Sequence, residues 1–185
     1  MIEAELKAWV RAPEEVLNRL EERAPGRVEV YQDTYYDRPD GSLDGQDQEL
    51  RVRTVHGADG IRTVLTFKGA AVDEASGSKP EYETRVEDAD AVHAMLRGLG
   101  YVPLIAFEKR CRNYDIEAHG RDVLATLVRV PEIDGTFLEV ETLAAEDDVV
   151  AALADVRAVL ADLGIGEEDL TRDTYTSAVR ASRAR

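Results

Sequence analysis

With 185 residues, 44% hydrophobic and 33% charged, the chain is sized for a single domain over residues 1–185 with a real core. Its formal net charge of −15 argues against nucleic acid, whose backbone wants a broad basic surface, yet leaves room for a small anionic ligand at a local cluster of bases. No apolar run approaches the roughly 20 residues that span a bilayer, no apolar export segment opens the chain, and one cysteine, Cys111, excludes an internal disulfide, so the expected location is the cytoplasm.

Residues 1–10 alternate, with Ile2, Ala4, Leu6, Ala8 and Val10 apolar against Glu3, Glu5 and Lys7, the period of a half-buried strand. Pro13 opens a short helix to Glu22. Residues 28–37 read as a strand and Arg38-Pro39-Asp40-Gly41 as a turn. Residues 49–55 and 61–68 form a hairpin across His56–Gly60. A glycine- and serine-bearing loop, 69–80, leads to a strand at 81–87. Asp88 and Asp90 cap a helix to about Arg97, ended by Gly98 or Gly100. Three further strands are expected at 104–117, 123–130 and 137–143. A helix from Glu146 to Leu163 stops at Gly164, and a last helical piece starts near Thr171. The result is an α+β chain with about eight antiparallel strands and helices packed outside.

The polar faces of these strands are almost wholly charged. Glu3, Glu5 and Lys7 lie on the first, Arg51 and Arg53 on the third, and Arg62, Thr66 and Lys68 on the fourth. The fifth carries Glu81, Glu83, Arg85 and Glu87, the sixth Glu108, Arg110 and Arg112, and the eighth Glu139 and Glu141. One account is solvated faces with cross-strand ion pairs, each contributing about 0.2–1 kcal/mol. The other is a curled sheet whose apolar side is covered by helices and whose charged side faces inward. Charges enclosed in that way must be paired or used. Acids and bases collected together suit a polyanion with Mg²⁺ or Mn²⁺: Arg and Lys hold phosphate oxygens and glutamates supply metal oxygens.

No phosphate loop of the G-x-x-x-x-G-K-[ST] kind, no G-x-G-x-x-G and no zinc spacing is present. His56, His93 and His119 fall in expected loops or on a helix surface, and Trp9, Tyr31, Tyr35 and Tyr36 read as packing residues. Cys111 reads as a small buried hydrophobe.

Glu3-Ala-Glu5-Leu-Lys7 resembles the E-x-E-x-K signature of the CYTH superfamily, the triphosphate tunnel enzymes, and other segments resemble that family in order. These are Asp33-Thr34-Tyr35-Tyr36-Asp37, Leu50-Arg51-Val52-Arg53, Thr66-Phe67-Lys68-Gly69, Lys79-Pro80-Glu81-Tyr82-Glu83, Lys109-Arg110-Cys111-Arg112 and Phe137-Leu138-Glu139-Val140-Glu141. Thr174-Tyr175 is similar to a Ser-Tyr pair near the family's end. The resemblance implies an eight-stranded antiparallel barrel enclosing a charged tunnel. It implies that Glu3, Glu5, Glu139 and Glu141 hold Mg²⁺ or Mn²⁺, and that Glu5, Lys7 and Glu141 are catalytic. Lys7, Arg51, Arg53, Lys68, Arg85, Arg110 and Arg112 would bind the triphosphate, and Glu81 and Glu83 would complete the lining. Two departures stand out: Val128 occupies the place of a family aspartate, with Asp134 as its nearest replacement, and Lys79 stands for an arginine.

The implied function is a metal-dependent enzyme on a triphosphate, closest to the class IV adenylyl cyclases, which turn ATP into cyclic AMP and pyrophosphate. Tripolyphosphate or thiamine triphosphate hydrolysis is the alternative, and an inert polyphosphate- or nucleotide-binding module the next. The chain would act as a monomer or homodimer, without nucleic acid or membrane.

Overall fold

A computed structural model describes residues 1–73 and 76–185; Ala75, within the expected loop at 69–80, lies outside the described residues. The strands are β1 (Ile2–Trp9), β2 (Arg27–Asp37), β3 (Glu49–Gly57), β4 (Gly60–Lys68), β5 (Lys79–Val86), β6 (Val102–Ala118), β7 (Arg121–Arg129) and β8 (Phe137–Ala144). The helices are α1 (Pro13–Glu21), α2 (Ala89–Gly98), α3 (Val149–Asp162) and α4 (Tyr175–Arg183). The strands close into a barrel in the order β1-β5-β4-β3-β2-β6-β7-β8, every pair antiparallel. No helix among the described residues is long and apolar enough to cross a membrane.

The alternation in β1 now has a direction. Ile2, Ala4, Leu6 and Ala8 are buried on the outside of the barrel, against Ala152, Val156, Val159 and Leu160 of α3. Small side chains at positions 4 and 8 let the helix lie close, and each buried valine or leucine contributes about 1.5–3 kcal/mol. Val16 and Leu20 of α1 join the same cluster, while Val92 and Leu96 of α2 pack over Tyr36, Leu50 and Val52. Asp88 caps α2 by accepting from the Ala91 amide at 2.9 Å. With the apolar faces turned out to the helices, the charged faces of β1, β3, β4 and β8 are turned in.

The fourth helix departs from the expected outer layer. Its Tyr175 and Val179 pack against Ile105, Phe107, Cys111, Val128 and Phe137. Those residues share the inward face of β6, β7 and β8 with the charged groups described below. Preceding α4, Ala8 bridges Leu170 and the Thr171 amide donates to the Lys7 carbonyl at 2.9 Å. This lays a short strap along β1 where β5, joined to β1 only at Ile2 and Glu3, has diverged.

Candidate functional site

The barrel encloses a cavity of about 430 Å³. Register explains its composition: Glu5 stands opposite Glu141 and Lys7 opposite Glu139 across β1–β8, Asp33 opposite Arg53 across β2–β3, and Lys68 opposite Glu81 across β4–β5. Since side chains two apart share a face, these registers place Glu3, Glu5, Lys7, Arg51, Arg53, Lys68, Glu81, Glu83, Glu139 and Glu141 together on the cavity wall.

Three of the acids converge. Glu3, Glu5 and Glu141 each offer a carboxylate oxygen, and these oxygens lie within 4.8 Å of one another. Burial pushes Glu5 up to about 7, assisted by Glu3 and Glu139. The same cause, with Glu3 and Glu5 as neighbours, carries Glu141 well above the usual carboxylate value. Glu3 is raised by burial too, although Lys68 opposes the shift. Carboxylates held this close and reluctant to ionise mark a place where one ammonium, that of Lys68, does not offset their combined charge. An all-oxygen donor set of this kind suits Mg²⁺ or Mn²⁺.

Glu139 differs. Burial alone would raise it, but Lys109 and Lys7 overcome that and hold it below the ordinary value. The Lys109 ammonium donates to both carboxylate oxygens of Glu139, at 3.3 and 3.2 Å.

The bases divide into committed and open ones. Lys68 donates to Glu3 and lies 3.2 Å from Glu81. Arg53 forms a fork on Asp33 at 2.7 and 2.8 Å and sits 4.3 Å over the Tyr31 ring. Arg51 makes a long bond to Thr66 at 3.3 Å, while its buried Nε has no partner among the described residues. Lys7 donates to the Asp173 carbonyl and lies 4.5 Å over the Tyr175 ring. At one rim, Lys79 holds Asp47 at 2.8 Å and Glu49 at 3.1 Å.

Three expected positions fall elsewhere. Arg110 and Arg112 point out of the barrel, where they pair with Glu108 at 3.0 Å and with Glu21 of α1 at 2.6 Å. The inward residues of β6 are Phe107, Lys109, Cys111 and Asn113, all buried. The outer face of β6 is charged because solvent covers much of it. Arg85 lies on the cavity side of β5 but is exposed beyond the wall. Asp134 sits on an exposed turn and contributes nothing to the lining. Inward positions of β7 are Leu124, Thr126 and Val128, so that strand brings no charge.

Lys109, Asp33 and Tyr175 are wall residues that the reading of charged faces passed over. Odd-numbered apolar residues Ile105, Phe107 and Cys111 flank Lys109 and carry the signal of its face. Asp33 sits between Tyr31 and Tyr35 in the same alternation.

Comparison with known proteins bears on this arrangement. A family model described as the CYTH domain matches residues 1–175. A Methanocaldococcus jannaschii protein named "Putative adenylate cyclase MJ0240" is 27% identical over 146 residues, covering 76% of this chain and 77% of that one. Among solved structures, the PH1819 protein of Pyrococcus horikoshii superposes with a TM-score of 0.85 at 27% identity, covering 98% of this chain and 99% of that one. A Vibrio parahaemolyticus structure titled a putative adenylate cyclase gives 0.79 at 20% identity, covering 100% and 99%, and shares the fold.

Proposed function

Because the chain belongs to the CYTH domain family, we propose that it is a divalent-cation-dependent enzyme that cleaves a triphosphate compound inside the barrel. One observation carries this reading: an enclosed wall on which three carboxylates within 4.8 Å of one another face Lys7, Arg51 and Lys68. A buried wall of that kind has no stabilising role by itself, since buried charges cost more than apolar packing would. Glu3, Glu5 and Glu141 would hold the cation. Bound there, it would lower the pKa of the attacking hydroxyl or water and offset charge on the leaving phosphate.

The remaining groups bind and orient. Arg51, with Nε free, is the readiest fork for a phosphate oxygen, and Lys7 and Lys68 add point charges. Arg53 and Lys109, already matched to Asp33 and Glu139, stiffen the wall. Enclosure excludes water and strengthens each of these contacts. Tyr175 covers Lys7 and Lys109 from the α4 side, 4.5 and 4.6 Å from the two ammonium groups.

Of the reactions open to such a site, conversion of ATP to cyclic AMP and pyrophosphate is the first reading, supported by the name of the 27% identical archaeal relative. Hydrolysis of tripolyphosphate or thiamine triphosphate is the second. It is favoured by the lining, in which Val55, Val64 and Leu124 are the aliphatic side chains beside a majority of charged ones. Incubation of the purified protein with Mg²⁺ or Mn²⁺ and each substrate separates them. Cyclic AMP with pyrophosphate identifies the cyclase, and orthophosphate the hydrolase. Tight tripolyphosphate binding with no product from any substrate would refute the enzymatic reading and leave a binding module.

A further inference from the structure

The margin of β5 that turns away from β4 is largely bare. β1 reaches it only at Lys79 and Pro80, so from Tyr82 to Val86 no strand lies beside it among the described residues. One bond gives the direction of its backbone groups. The Gly69 amide donates to the Pro80 carbonyl at 2.9 Å, in line with the β4–β5 register, so the even-numbered residues of β5 turn their N–H and C=O groups to β4. Alternation turns those of Glu83 and Arg85 to the bare side. Exposed strand edges are usually bulged, very short or of one charge, which keeps other chains away. This edge has no bulge in its register with β4 and carries both signs of charge. Tyr82 is 65% exposed, and Arg85 has neither a hydrogen bond nor an ion pair among the described residues.

The edge is complementary to itself. Laid antiparallel against a second copy with Thr84 opposite Thr84, Glu83 meets Arg85 and Tyr82 meets Val86 on both sides of a two-fold axis. Glu83 and Arg85 are then the residues whose N–H and C=O groups face each other, giving about four backbone hydrogen bonds with an opposite-charge pair at each end. On the outer face the same register makes a Thr–Thr pair and aromatic–β-branched pairs, both favourable across strands. Moving the centre to Glu83 or to Arg85 sets like charges opposite each other instead.

We propose that the bare margin of β5 is a homodimer contact, in which two copies pair through residues 82–86 about a two-fold axis. Because the contact uses the same patch on both copies, assembly stops at two. The strip is short, which puts the association in the weak, reversible class. The second copy also touches the cavity wall. Glu83 lines the cavity, accepts from the Thr66 hydroxyl at 3.0 Å and lies 4.0 Å from Arg51. Arg85 of the second copy draws that carboxylate towards the contact and leaves Arg51 to a bound anion.

The test is sedimentation of the full chain from about 10 μM to about 1 mM, the range of weak interfaces, with Glu83→Arg and Arg85→Glu as variants. Wild type should pass from monomer to dimer across that range. Neither variant alone should, since one sets Arg against Arg and the other Glu against Glu. An equimolar mixture of the two should recover the dimer, because both opposite-charge pairs return. A wild type that stays monomeric throughout overturns the proposal, as does a dimer that both variants keep. So do two variants, each folded by circular dichroism, whose mixture stays monomeric. If either variant does not fold, Arg85→Pro decides: the N–H it removes points away from β4, so the barrel should stand while the dimer is lost, and a dimer that survives it overturns the proposal.

Discussion

Glu5→Gln separates function from stability in opposite directions. The Glu5 carboxylate is lifted from an ordinary 4.5 to about 7 by burial and by Glu3 and Glu139. At 1.36 kcal/mol per pKa unit, that rise is worth about 3.4 kcal/mol of destabilisation when the group is ionised. The side chain is 28% exposed, so solvent screening reduces the effect to about 1–2 kcal/mol. A raised carboxyl pKa favours the folded state below the unfolded value and loses that contribution as pH climbs through 7. The cation-free variant at pH 8 should therefore melt about 3–6 °C above wild type, and the difference should vanish as pH falls from 7 towards 4.5. With saturating Mn²⁺ the order should reverse, because ligand binding stabilises only the protein that binds it, and Glu5→Gln should have no activity. The assay is a thermal melt in chelator and in Mn²⁺ across that pH range. A variant less stable than wild type in chelator at pH 8, or one keeping the full Mn²⁺ shift, refutes the reasoning.

Arg51→Met removes a base with a free Nε and should raise KM by the equivalent of about 1.5–3 kcal/mol with little change in urea midpoint; an unchanged KM would place the phosphates elsewhere. Arg53→Ala should act mainly on folding, costing about 3–5 kcal/mol because it strands the buried Asp33; adding Asp33→Asn should recover most of the loss in urea denaturation. Arg110→Ala and Arg112→Ala should leave kcat/KM unchanged within about twofold, each having lost an exposed pair worth at most about 1 kcal/mol; a tenfold loss in either would put it in the cavity. Burial pushes the Cys111 thiol up to about 12, so it should ignore aromatic disulfide reagents at pH 8 until urea unfolds the chain.

Much of this site is legible in the alternation of β1, β3, β4 and β8. On those strands one face is apolar enough to need a helix or core, which leaves the charged face no place but the interior. The same logic fails on β6, where both faces carry charge and the outer one meets solvent and α1. There the buried apolar residues around Lys109, rather than the charges at 110 and 112, mark the inside. Asp33 escapes notice because one acid between two tyrosines looks like a polar interruption until Arg53 is brought opposite. Barrel closure is also hidden from local pattern, since it depends on Ile2 meeting Ala144. The inward seat of α4 is hidden for a related reason: its amphipathic face is compatible with either side of a wall.

The strap along β1 has a consequence for how the protein is made. Lys7 receives the Thr171 amide on its carbonyl and gives its ammonium to Asp173, and the other edge of its strand is stitched to residues 137–144. Apart from its short pairing with β5 at Ile2 and Glu3, β1 thus waits for residues 137–144 and 171–173 before its margins are filled. Such distant closure slows folding and leaves strand margins open to wrong pairing meanwhile. Until those segments arrive the barrel is an open, curling ribbon, and the seam between β1 and β8 is the last to close.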